Sequence, residues 1–168
     1  MLPPIFPTFL PPLGAIWYQA ECNVGNPPLY RCTFPAMISD WREKFGQTPQ
    51  EFPFFFVQLA AYTEGNPGVL LAQMRLSQTQ ALTLPYTGMA TAVDLGDPGT
   101  DNPNGNIHPR NKQPVGARLE LVAEAIAYGA DVQYLGPTFK DASVISVGPN
   151  AEIQVDFEGA SIGGAYQV

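Results

Sequence analysis

Three short apolar runs, each followed by a stretch of helical period, constrain the fold of this chain more than any other feature. Gly14 to Gln19 carries Ile16, Trp17 and Tyr18, and Pro53 to Leu59 reads PFFFVQL. Gly88 to Val93 reads GMATAV. β-branched and aromatic residues in runs this short favour buried strands. Between the first two runs, Tyr30, Phe34, Met37, Ile38, Trp41 and Phe45 recur at spacings of three and four, which makes one face of a helix. Pro35 is expected in its first turn with Thr33 as N-cap, and Gly46 as its stop. Val69 to Leu84 predicts a second helix ending before Pro85. Val115, Leu119, Val122 and Ile126 predict a third, with Pro114 near its start and Gly129 past its end. Strands alternating with helices imply βαβ units and a mostly parallel sheet. After Gly136 the pattern changes to two short alternating strands, Ser143–Val147 and Ile153–Phe157, joined through residues 148–151. The expected organisation is an α/β domain over residues 1–137, followed by the start of a small β region over 138–168.

Charge and cysteine content narrow the function. Only eight Lys and Arg stand against fifteen Asp and Glu, a net charge of −7. That balance disfavours nucleic acid and anionic membrane surfaces, which are bound by clustered Lys and Arg. Residues 1–13, MLPPIFPTFLPPL, are apolar but have neither a basic leader nor a small-residue cleavage site, and are too short to span a bilayer. Cys22 and Cys32 suit either a disulfide in an oxidising compartment or two free thiols, the latter favoured. Two cysteines and one histidine are too few for a zinc site.

In parallel sheets, ligands bind at the carboxyl ends of strands. Two segments rich in reactive side chains are placed there. The first run leads into Gln19, Glu21, Cys22 and Asn23. The third leads into Asp94, Asp97 and Asp101, then an irregular loop over 96–112 that carries His108, the only histidine. Long irregular loops in compact domains are usually functional or disordered. A histidine there suits a general base toward a hydroxyl nucleophile, oriented by a carboxylate. A lone histidine is more often structural, and Asp97 and Asp101 also fit plain turn chemistry. Asp94, Asp97, Asp101 and Glu21 all remain candidates for the orienting acid. Gln19 and Asn23 could donate to an oxyanion or merely cap a loop. Cys22 shows no sign of an activated thiol. Gly159-Ala160-Ser161-Ile162-Gly163 matches GxSxG, but no strand–turn–helix elbow frames it and His108 lies upstream, so it reads as chance. Ser39 and Ser77 fall on predicted helices.

WYQAECN at residues 17–23 resembles the WYQGE-[SA]-N block of the sialate O-acetylesterase family, within the SGNH hydrolases. The resemblance continues through LYRCTFPAMISDWREKFG, FPFFFVQLA, RLSQ, LPYTGMATAVDLGD and IHPRNKQPVGARLELVAEAIAYG, from about Gly14 to Pro137. It implies an SGNH-like, flavodoxin-like three-layer α/β/α domain, an acyl-serine intermediate, no metal or other cofactor, and an O-acetylated sugar as substrate. It also implies a parent that is secreted, lysosomal or periplasmic. The family histidine falls on His108, and the glutamine and glutamate of its block on Gln19 and Glu21. The family serine belongs to a GQSN-like block well ahead of WYQGE, with no counterpart here. The nucleophile is therefore expected upstream of residue 1, the missing part of the domain as a partner, and the chain alone inactive. Ala20 stands where the family has Gly, and Cys22 where it has Ser or Ala. A methyl at position 20 would strain the turn if that position needs positive φ. Gly105 stands three positions before His108, where many SGNH enzymes carry Asp. A non-catalytic carbohydrate-binding relative and an acetyl-xylan-type esterase are the alternatives.

Overall fold

The computed structural model describes residues 11–99, 101–148 and 150–158. The chain divides into two compact units that part between Ala130 and Asp131. In the first, β1 (Ala15–Trp17), β2 (Phe54–Gln58) and β3 (Thr87–Thr91) form a parallel sheet in the order β1-β2-β3. Helices α1 (Pro27–Phe45), α2 (Val69–Gln78) and α3 (Gln113–Ile126) follow the three strands in turn. This is the α/β architecture that the alternating pattern implies.

The triple phenylalanine of β2 explains how the layers assemble. Successive side chains of a strand point to opposite faces. Phe54 and Phe56 meet Phe34 of α1, with ring centroids 6.0 and 5.1 Å apart, and Trp17 packs edge-on to Trp41 at 5.7 Å. Phe55 faces the other way, towards Val122 and Ile126 of α3. All three phenylalanines are buried. The sheet thus has helices on both faces, as parallel sheets require. Gly88 permits the close approach of α3. A Cβ there would stand 2.4 Å from Val122 Cγ1 and 2.6 Å from Ile126 Cδ1.

α1 begins earlier than the apolar period indicates. Asn26, not Thr33, is the N-cap, its side chain accepting from the Leu29 N–H. Pro27 and Pro28 occupy the first turn, where a missing N–H costs nothing. Pro35 lies inside the helix, and Thr33 instead donates to the Leu29 carbonyl. Gly46 closes the helix in the left-handed conformation, φ 66°. The second predicted helix is α2 followed by a 3-10 segment, Thr79–Thr83. Arg42, on α1, is buried and donates to the carbonyls of Phe52 and Tyr86, tying together the amino ends of β2 and β3.

β1 pairs only with β2 among the described residues, and Ile16, on the α3 face of the sheet, is 70% exposed. In the second unit, β4 (Thr138–Ser146) and β5 (Glu152–Glu158) form an antiparallel ribbon with two register irregularities. Both strands run longer than their alternation suggests, and every residue in them is exposed.

Candidate functional site

The carboxyl ends of β1, β2 and β3 open onto loops that side-chain bonds stitch into one rim. Gln78, on α2, is fully buried. Its Oε1 accepts from the Leu59 N–H at 3.1 Å, and its Nε2 donates to the carbonyls of Val57 at 2.9 Å and Gln19 at 3.4 Å. One amide therefore locks the β1 exit to the β2 exit. Arg75, a helical turn earlier, donates from Nε to the Leu59 carbonyl at 2.8 Å. Asn106, in the loop that carries His108, accepts from the backbone of Thr63 and Glu64 and donates to the Thr63 hydroxyl. That ties the third exit to the second. The Lys112 ammonium, at the start of α3, lies 4.3 Å over the Tyr18 ring and closes the circle back to β1.

The β1 exit carries the amide and carboxylate candidates. Ala20 is wholly buried with φ 144° and ψ −3°, a conformation L side chains rarely adopt. The strain expected of alanine at this position is present. Gln19 Nε2 donates to Asn23 Oδ1 at 2.6 Å, and its Oε1 accepts from the Tyr30 hydroxyl at 3.3 Å. Among the described residues one N–H of the Gln19 amide stays uncommitted, since a carboxamide has two. Glu21 turns back to accept from the Ala20 N–H at 3.0 Å. Burial pushes the Tyr30 hydroxyl up to about 12 and also raises Tyr18, to which Glu21 adds its negative charge. A cavity of about 220 Å³ lies beside Gln19 and Asn23, lined also by Trp17, Tyr30, Thr33, Phe34 and Met37. Cys22 and Cys32 are free and exposed.

His108 is exposed, and its backbone is fixed on both sides. Its N–H donates to the Gly105 carbonyl at 3.2 Å, and its own carbonyl accepts from Asn102 Nδ2 at 2.8 Å. Asn102 is buried and also donates to Asp97 Oδ2. Of the four carboxylates expected as candidates to orient the imidazole, Asp94, Asp97 and Asp101 are committed to arginines instead. Asp97 takes Arg110 Nε at 2.7 Å, and Asp101 accepts from both Nη atoms of the same guanidinium. Both carboxyls are held below the usual range by those bonds. Asp94 receives Arg118 as a fork, both bonds 2.7 Å, and is lowered by it; Arg118 also reaches the Thr91 carbonyl. Among the described residues no side chain hydrogen-bonds the His108 imidazole. Asp94 and Asp97 thus brace the loop around His108, a role that turn-forming residues conceal in a bare sequence. Of the bracing residues, Asn102, Asn106 and Lys112 carried no signal beyond membership of a polar loop. Arg75 and Gln78 stood in the quoted RLSQ block, at helical spacing.

No three His, Cys, Asp or Glu side chains gather as a metal site would need among the described residues. No helix of those residues is long and apolar enough to cross a membrane. The GASIG segment with Ser161, and residues 1–10, lie outside them.

Comparison with known proteins settles the kinship. The sialate O-acetylesterase of Homo sapiens is 44% identical over 138 residues, taking in 74% of this chain and 26% of that protein. That of Mus musculus is 42% identical over 147 residues, 79% of this chain and 27% of that protein. Over the matched span this chain belongs to the sialate O-acetylesterase family. The solved structure of a carbohydrate acetylesterase from Xanthomonas citri superposes with a TM-score of 0.68 at 40% identity, covering 85% of this chain and 32% of that one. The chain therefore spans about a quarter of the curated relatives that it matches, and about a third of the solved one. No protein-family model matches it.

Proposed function

We propose that this chain supplies the acid–base and oxyanion side of an acetyl-ester hydrolase site for O-acetylated sugars, sialic acids foremost. The observation that carries the reading is identity of 40–44% to sugar acetylesterases, joined to three strand exits bound into one rim around the only histidine. In this reading His108 takes the proton of a serine hydroxyl as it attacks the acetyl carbonyl. It then returns the proton to the departing sugar hydroxyl. The free N–H of Gln19 faces the developing oxyanion, and Asn23 fixes that amide by holding its other hydrogen. Glu21 secures the strained turn at Ala20, while Asp94 and Asp97 hold the His108 loop through Arg118 and Arg110. The serine belongs to a segment outside this sequence.

The test is acetate release from O-acetylated sialic acid and from an aryl acetate. It is run on the 168-residue chain and on any longer product of its gene. Turnover is expected only where a serine block of the GQSN kind is present, and is expected to fall about a thousandfold or more in His108→Ala. Turnover by the 168 residues that Ser161→Ala abolishes would overturn the reading.

A further inference from the structure

The ribbon of the second unit sorts its side chains by polarity. β5 reads EIQVDFE, so Ile153, Val155 and Phe157 share one face and Glu152, Gln154 and Asp156 the other. β4, TFKDASVIS, does not alternate as cleanly. Its register shifts between Phe139 and Asp141 and between Val144 and Ser146, so Lys140 and Ile145 are each left without an opposite residue. A one-residue shift moves every later side chain to the other face. The two shifts therefore set Phe139, Ala142 and Val144 opposite Phe157, Val155 and Ile153, and Asp141, Ser143 and Ser146 opposite Asp156, Gln154 and Glu152. Without the first, Asp141 would share a face with Phe139. One face of the ribbon is wholly apolar, and the other carries the acids Asp141, Glu152 and Asp156.

That apolar face is bare. Phe139, Val144, Ile153, Val155 and Phe157 are between 45% and 66% exposed. At about 150–200 Å² for a whole residue of this size, the five leave roughly 500 Å² of apolar surface to water. Two strands alone are marginal in water and gain their stability from a further layer on the apolar side. Two such faces brought together would bury roughly 1,000 Å², the least that a specific association needs. Charge favours the same arrangement. The chain carries a net −7, yet the acids of each ribbon would point away from the contact.

We propose that the apolar face of the β4–β5 ribbon is a docking surface for the same face of a second copy of this chain. The contact is isologous, with each ribbon meeting its own equivalent across a two-fold axis. An axis near the central Ala142–Val155 pair lays the Phe139–Phe157 end of one ribbon against the Val144–Ile153 end of the other. Large rings then meet smaller aliphatic side chains, as the inner faces of a two-layer sandwich about 10 Å apart require. The polar faces stay in water.

The experiment is sedimentation equilibrium on the 168-residue chain, from about 1 to 300 µM, since association follows protomer concentration. A dimer half-formed at about 10–100 µM is expected of so small an interface. Val144→Lys, which sets a charge on the apolar face, should weaken it about tenfold or more. Ser143→Lys adds the same charge one residue away on the polar face, and should leave the dimer within about twofold of the unchanged chain. Ile16→Lys, on the edge strand of the first unit, should likewise leave it within about twofold. Urea midpoints establish that each variant keeps its fold. A monomer at every concentration would overturn the proposal, whether the face stays bare or residues 159–168 cover it. A dimer that survives Val144→Lys, or that Ile16→Lys dissolves, would place the contact elsewhere on the chain and overturn it too.

Discussion

Ala20→Gly should cost the chain almost nothing, although Ala20 is completely buried. An ordinary buried alanine loses about 0.8 kcal/mol of transfer energy when its methyl is removed. The greater freedom of unfolded glycine adds about 0.4–1 kcal/mol. Unstrained, the substitution would therefore destabilise by about 1.2–1.8 kcal/mol. At φ 144° the methyl instead sustains a backbone strain of order 1–3 kcal/mol, which glycine releases. Taking about 2 kcal/mol for the strain gives a net gain of about 0.5 kcal/mol, with most of the range near or above zero. Equilibrium urea melts of both proteins, compared at equal slope, give the difference. Ala20→Val should be the opposite, losing several kcal/mol, since a β-branched residue fits neither the dihedral nor the space. A loss of about 1.2 kcal/mol or more in Ala20→Gly would refute the strain, and with it the account of why this turn suits glycine.

Gly88→Ala should destabilise by about 1–3 kcal/mol, because its Cβ meets the side chains of Val122 and Ile126 and the buried Val122 has little room to yield; a urea melt reads it. The raised Tyr30 gives an alkaline limb. The unfolded phenol ionises near pH 10 and the folded one near 12, so stability is whole below pH 10 and falls by about 1–2 kcal/mol across that interval. Tyr30→Phe should flatten this limb in a pH series of melts. Asp94, lowered by Arg118, acts in the other direction: its contribution is present above about pH 4 and is lost as pH falls through the depressed folded value. Arg118→Met should remove that acid limb, at a cost of no more than about 1 kcal/mol at neutral pH because the pair is exposed.

Much of this architecture could be read from the chain because its signals are local and redundant. The β2 run PFFFVQL supplies aromatic residues for both sheet faces, so strand and burial follow from one pattern. α1 was legible in its apolar face but not in its start. Asn26-Pro27-Pro28 is a cap followed by a proline-bearing first turn, and the later Thr33-Pro35 offered the same chemistry one step inside the helix. At the rim, the positions of Gln19, Glu21 and His108 followed from strand exits. The partners of Asp94 and Asp97 did not. They are arginines 24 and 13 positions away, brought in by α3 and by the fold of a loop without periodicity. Arg75 and Gln78 resisted for a related reason. Their helical spacing reads as an ordinary polar face, and only the packing of α2 turns it into the rim.

A chimera tests the central claim most directly. Residues 14–137 of this chain would replace the matching stretch of the Xanthomonas citri carbohydrate acetylesterase, the rest of that protein being kept. The measurement is acetate release from O-acetylated sugars, with and without His108→Ala. The account predicts that the folded chimera hydrolyses the ester and that His108→Ala lowers kcat by about a thousandfold or more, with the urea midpoint unchanged. A folded chimera whose activity His108→Ala leaves within about tenfold would contradict it.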